Sequence, residues 1–262
     1  MAWHRLHAIL DAAAEERRPL CFWWRDDDVG IDHPDFPRLL ELAARRRVPV
    51  AVAVVPLRLT EIVQIRIAES DEASVIQHGF CHRNHAPAGA PEIELGGRDP
   101  ERVMGELDWG RGILETAFGS RFLPVLAPPW NRLDHALLPH LRCCGFVGLS
   151  TDGQRVSPAP LPGLAQVNVH VDPVDWCSSR PGNRRFVGEE AALAQLLAMS
   201  AADEPIGIIT HHRGLTEAVW TFLDRLFEIL STHPGANARA APQLFQAGSV
   251  EVRPAPSSLS RG

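Results

Sequence analysis

Short apolar runs alternate with amphipathic stretches along most of the chain. The runs at 20–25, 48–55, 74–77, 122–126, 146–149, 165–171 and 206–209 read as strands. Their near-continuous apolarity suits strands covered on both faces. Between them, apolar positions at helical spacing predict helices at 3–18, 37–47, 60–69, 100–118, 133–142, 189–199 and 217–230. Thr60 is placed to cap the third of these and Pro100 to open the fourth. Such alternation predicts a parallel sheet wrapped by helices, and seven strands suit a distorted (β/α) barrel. With no repeat and no linker, a single domain over 1–262 is expected. Its core would run from about 18 to 232, with an irregular tail over 233–262, where Pro234, Pro242, Pro254 and Pro256 fall.

Composition narrows the function classes. Hydrophobic residues make up 45% and charged ones 22% of 262 residues, an ordinary balance for a large core. A net charge of −6 without a dense basic cluster argues against nucleic acid as a partner. No apolar stretch has membrane length, and the first residues lack a signal-peptide core. Five cysteines without a regular framework fit a reducing compartment, so a cytoplasmic location is expected.

In a parallel barrel, chemistry collects at the C-terminal ends of the strands. Asp26-Asp27-Asp28 end the first run, three carboxylates that repel one another unless a cation or proton is shared. His78 and His82 end the third, four apart, which in a helical turn puts them on one face. Pro129, Trp130 and Asn131 follow the fourth, His170, Asp172, Asp175 and Trp176 the sixth, and His211 and His212 the last. Two neutral imidazoles and a carboxylate are a zinc-type ligand set that leaves a fourth position for water. A second carboxylate would then serve as base and a histidine on the opposite side as acid.

In order along the chain, these pieces resemble the motifs of the polysaccharide deacetylase family, the NodB-homology group or carbohydrate esterase family 4. Asp27-Asp28 match its first motif, His78-x-x-x-His82 its second and Pro128-Pro129-Trp130 its third. Asp172-Pro173-Val174-Asp175-Trp176 match the fourth, and Ile208-Ile209-Thr210-His211 the fifth. The resemblance implies a hydrolase that removes an N-acetyl group from an amino sugar or polysaccharide. It implies a divalent metal, most simply zinc, on Asp28, His78 and His82, with Asp27 as base and His211 as acid. Pro129, Trp130, Asn131, Asp172, Asp175 and Trp176 would meet substrate, the two tryptophans walling the acetyl pocket. Asp26, His85, His170 and His212 are further candidates, and Asp26-Asp27 is an alternative working pair.

One departure stands out. The family's third motif opens with an arginine that braces the base, and that place here is Ala127. Arg25 and Arg132 are the candidates to replace it. Two other readings follow: an amidohydrolase for a small amide in the same fold, or a glycan-binding relative without turnover.

Overall fold

The structure, a computed structural model, describes residues 2–178 and 184–245. Seven parallel strands form one sheet in the order β6-β5-β4-β3-β2-β1-β7. They are β1 (Leu20–Val29), β2 (Val50–Val54), β3 (Ala73–Gln77), β4 (Phe122–Leu126), β5 (Gly148–Leu149), β6 (Ala165–Gln166) and β7 (Ile206–Thr210). Beyond β6 the chain returns to β7 through a parallel bridge between Val171 and Ile208, which curls the sheet into a distorted barrel. No helix among the described residues is long and apolar enough to cross a membrane.

Strand side chains alternate between faces, and here the alternation separates two environments. Phe22 and Trp24 of β1, Val50, Val52 and Val54 of β2, and Ile206 and Ile208 of β7 face outward. There they pack under α1 (Ala2–Glu15), α2 (Asp35–Arg46), α3 (Glu61–Ala68) and α7 (Glu217–Thr232). Leu6 and Leu10 of α1 and Phe222, Leu226 and Phe227 of α7 supply that layer at helical spacing. Trp23, Ala51, Ala53, Ile76, Val125, Ala127 and Ile209 face inward. The inner cluster is rich in alanine, so the barrel can curl tightly. On the far flank α4 (Pro100–Phe118) and α5 (Leu138–Cys143) cover β4 and β5 through Leu107, Leu141 and Phe146. α6 (Glu189–Met199) lies against α1, where Glu189 accepts a hydrogen bond from Trp3.

Several expectations need correction. The aspartate triplet lies inside β1, not beyond its end. The region over 133–142 is broken into a short 3-10 turn at His135–Leu137 and then α5, because Pro139 opens a new first turn. Thr60 precedes α3, but its hydroxyl donates to the Gly30 carbonyl and does not cap the helix. The core starts at α1, whose Leu6 and Leu10 are fully buried, not near residue 18. Nor is the chain irregular after 232: β8 (Ala236–Ala238) pairs in parallel with β1, and α8 (Ala241–Phe245) follows. Phe245 plugs the inner cluster edge-on to Trp23, ring centroids 5.9 Å apart. The expected tail beyond Phe245 lies outside the described residues.

Candidate active site

Strand parity divides the aspartate triplet. Arg25 and Asp27 share the inner face with Trp23, whereas Asp26 shares the outer face with Trp24. On β7 the same rule sends Thr210 outward, and His212 follows it. Asp26 accordingly meets both, its Oδ1 accepting from the Thr210 hydroxyl at 2.6 Å and the His212 N–H at 3.0 Å. Its Oδ2 lies 2.6 Å from His212 Nδ1. This outer pair is closed off, with Asp26 and His212 buried beneath Phe36.

Alternation alone would send Asp28 outward too. The pairing of β1 with β2 slips between Asp26 and Val29, and Asp28 adopts φ +63°. A bulge of this kind bends a strand and re-aims a side chain. The Asp28 carboxylate reaches the loop after β3, with Oδ1 at 3.4 Å from His78 Nε2 and 3.0 Å from His82 Nε2. One donor atom from each of the three lies within 4.8 Å of the others.

The two histidines do not share a helical face, as their spacing alone suggested. His78 directly follows β3, and a loop carries His82 back beside it. Gly79 makes that return possible. Its φ is +58°, and a Cβ there would come within 2.0 Å of Glu94 Oε2. Glu94, fully buried, accepts from the backbone N–H of Phe80 at 3.3 Å and of Cys81 at 2.8 Å. It also accepts from the Cys81 thiol at 3.2 Å. Burial, with Glu94 beside it, pushes that thiol up to about 11, so Cys81 stays a protonated packing group.

Non-glycine residues with positive φ gather at this place. Of six among the described residues, Arg17 and Arg47 sit just past helix ends, while Asp28, His82, Trp130 and Asn131 surround the cluster. Each such residue costs about 1–3 kcal/mol, and strain of that size concentrates where geometry serves function.

The residues present suit a cation. His78 Nδ1 lies 2.9 Å from the Ala127 carbonyl, which assigns the ring proton there and turns the Nε2 lone pair toward Asp28. A lone pair facing a carboxylate oxygen requires a cation or a proton between them. Burial opposes charge on His78, yet the Asp27 and Asp28 carboxylates hold its imidazole above the ordinary range. Burial likewise opposes charge on Asp28, but His78, His82 and His211 hold its carboxyl well below the usual range. Two borderline imidazole nitrogens and one hard carboxylate oxygen make a donor set that zinc accepts, with coordination left open.

Arg25 answers the departure at Ala127. Its buried guanidinium grips Asp27 twice, Nε to Oδ1 and one terminal nitrogen to Oδ2, both at 2.9 Å. The same nitrogen donates to Asn131 Oδ1 at 2.6 Å, and the other donates to the Ser150 carbonyl and hydroxyl at 2.9 and 2.7 Å. Arg132 is turned away, donating to the Glu92 carbonyl. An unpaired buried charge costs several kcal/mol, so this complete set of partners fixes Asp27 as an anion-bearing fixture of the inner face.

His211 lies near enough to the cluster for its ring to interact electrostatically with Asp28. Trp176 meets its ring edge-on at 4.6 Å and donates to Asp172 Oδ2 at 2.7 Å. Burial pushes the Asp172 carboxyl up, partly offset by His211 and that hydrogen bond. Trp130 packs on His82, ring centroids 4.3 Å apart. Pro129 lies under Gly79, and Asn131 is committed to Arg25, so both buttress the cluster.

Three candidates lie apart from this cluster. His170 is at the opposite end of β7, its Nδ1 accepting from the Gly207 N–H at 3.0 Å and its Nε2 3.6 Å from Glu204. Asp175 is half-buried and accepts from the Ser178 N–H. His85 sits in the 82–97 loop, its backbone bonded to Ile93, and is not among the converging donors. Sequence reasoning missed Glu94 and Ser150. Glu94, an acid in a proline- and glycine-rich loop, carried no signal of burial.

No family model and no curated protein matches the chain. Solved structures do. A Mycobacterium smegmatis protein assigned as a polysaccharide deacetylase superposes with a TM-score of 0.61 at 19% identity, over 87% of this chain and 81% of its own. The Bc1960 peptidoglycan N-acetylglucosamine deacetylase gives 0.59 at 16%, over 87% and 89%. A family 4 carbohydrate esterase pseudoenzyme from Bacillus anthracis gives 0.57 at 13%, over 86% and 66%. Enzymes and a pseudoenzyme thus share this architecture, and chemistry has to be argued from the site. The strand order, the curled sheet and these superpositions together give the chain the fold of the polysaccharide deacetylases of carbohydrate esterase family 4.

Proposed function

We propose that the protein is a metal-dependent hydrolase that removes an N-acetyl group from an amino sugar or polysaccharide, and that 1–262 act as one domain. The observation that carries this is the meeting of Asp28, His78 and His82 beside an arginine-braced Asp27, with His211 near Asp28. A divalent cation held by those three, zinc by its donor chemistry, supplies Lewis acidity for the acyl carbonyl.

The chain's own residues supply the rest. Asp27 takes a proton from water as the water oxygen bonds to the acyl carbon. Each Asp27 oxygen keeps a lone pair beyond its contact with Arg25. His211 gives a proton to the amide nitrogen as the carbon–nitrogen bond breaks, so acetate and a free amine leave. Asp172 lies close enough to interact electrostatically with the His211 ring. Trp130 and Trp176 border the space between Asp28 and His211 and exclude water from the acyl methyl.

Ala127 was the reason to consider a glycan-binding relative without turnover, and Arg25 on Asp27 removes that reason. Zinc-loaded protein is expected to release acetate from a chitooligosaccharide, and Asp27→Asn to lower release at least about 100-fold while keeping the metal. Hydrolysis of small amides without acetate release would move the substrate to that class. No hydrolysis of either would overturn the reading.

A further inference from the structure

Arginines are used in two ways in this molecule. On the helical flanks they pair with carboxylates, as Arg38 does with Glu217, Arg46 with Asp224 and Arg111 with Glu115. Around the mouth of the site they do not. Arg213, two residues past His211, donates to the Ile31 carbonyl at 2.8 Å. Arg58 donates to the His82 carbonyl at 3.1 Å. Arg184 lies with its guanidinium 4.4 Å over the Trp176 ring, the same ring that meets His211. Among the described residues none of these three has a carboxylate within ion-pair distance, and the Nε atoms of Arg184 and Arg213 are buried without a hydrogen-bond partner.

A carbonyl or an aromatic face orients a guanidinium without cancelling its charge. Of the nearby acids, Asp27 is paired with Arg25 and Asp32 with Arg66, while Asp172 and Asp35 accept from the Trp176 and Gly214 N–H groups. In a chain of net charge −6, Arg58, Arg184 and Arg213 bring to one opening positive charge that has no ion-pair partner among the described residues. Arg184 and Arg213 are also neighbours, since the Arg184 N–H donates to the Gly214 carbonyl and Arg184 bridges to Leu215. A planar guanidinium fork matches the geometry of phosphate or carboxylate oxygens.

We infer that the substrate carries an anionic group, a phosphate or carboxylate, next to its acylated amino sugar, and that Arg184 and Arg213 hold it on the His211 side. The inference rests on the hydrolase reading and names its substrate class.

The test compares zinc-loaded enzyme on N-acetylglucosamine, its 1-phosphate, and N-acetylmuramic acid. The 1-phosphate arm tests phosphate and the muramic acid arm carboxylate. At least one anionic sugar is expected to exceed the neutral one about tenfold in kcat/KM through a lower KM, with the advantage shrinking as salt rises. Arg184→Gln and Arg213→Gln should each cut the anionic-to-neutral ratio roughly tenfold, and Arg184→Lys should restore part of it. Equal rates on all three, or ratios unmoved by the glutamine variants, would overturn the inference and leave the hydrolase reading intact. If none of the three is hydrolysed, acetate release from the chitooligosaccharide decides the hydrolase reading separately. Calorimetric binding of the 1-phosphate and of N-acetylmuramic acid then decides the anion site: binding of either that weakens in Arg184→Gln supports it, and binding of neither overturns it.

Discussion

Asp26 and Asp27 are adjacent in sequence, equally buried, and each meets a basic partner, yet they stand in opposite situations. On the outer face Asp26 is saturated by Thr210 and His212, both also sealed beneath α2 and α7. On the inner face Asp27 belongs to a group that faces open space, beside half-exposed Asp28, His82 and His211. A closed carboxylate network stabilises and specifies packing, whereas an open one has capacity left for a ligand. One residue of strand parity is the whole difference.

The comparison can be broken most sharply on the inner side. Asp27→Asn and His211→Ala should each lower acetate release about 100- to 10,000-fold while zinc binding persists, read by turnover and by metal content of the same samples. Unchanged turnover in His211→Ala would remove that residue from the acid role.

The outer side should answer in stability instead. Asp26→Ala strands a buried His212 and the Thr210 hydroxyl, so denaturant unfolding should show a loss of roughly 3–5 kcal/mol. Activity per folded molecule should change far less than in Asp27→Asn. The reverse ranking would mean the two faces have been assigned the wrong way round.

Glu94 sharpens the boundary between the two kinds of buried acid. It is closed like Asp26, but what it closes is the loop carrying His82. Glu94→Ala should weaken zinc binding about 10- to 100-fold, as measured by competition with a chelator. Glu94→Gln keeps one acceptor oxygen for Cys81 and should lose less.

The smallest effect belongs to a surface pair. Arg46 and Arg45 hold the Asp224 carboxyl down at about 2. Because this value lies below that of an unfolded aspartate, the pair's contribution is present above about pH 4 and fades as pH falls toward 2. With Asp224 more than a third exposed, solvent screens most of the effect. Asp224→Asn should flatten only the acid limb of a stability-against-pH curve.

What sequence could and could not deliver follows the range of the interactions involved. α4 and β4 were legible to the residue, since periodicity and Pro100 are local signals. β8 and α8 were not, because a strand of three residues and a helix of five owe their existence to β1 and to the inner cluster that Phe245 fills. Within the site, residue types in order along the chain named Asp28, His78 and His82. Their geometry came from elsewhere: the bulge that turns Asp28 inward, the glycine that folds His82 back, and Glu94 reaching across fourteen residues to Phe80. The choice between Asp26-Asp27 and Asp27-Asp28 needed strand register and the bulge together.

Equilibrium zinc binding to the metal-free chain asks whether Asp28, His78 and His82 hold one ion. One zinc per chain is expected in the wild type, with binding lost in Asp28→Ala and in His78→Ala while both variants keep the wild-type circular dichroism spectrum. A wild type that binds no divalent metal, or variants that bind as tightly as it does, would mean that these three side chains do not form a metal site.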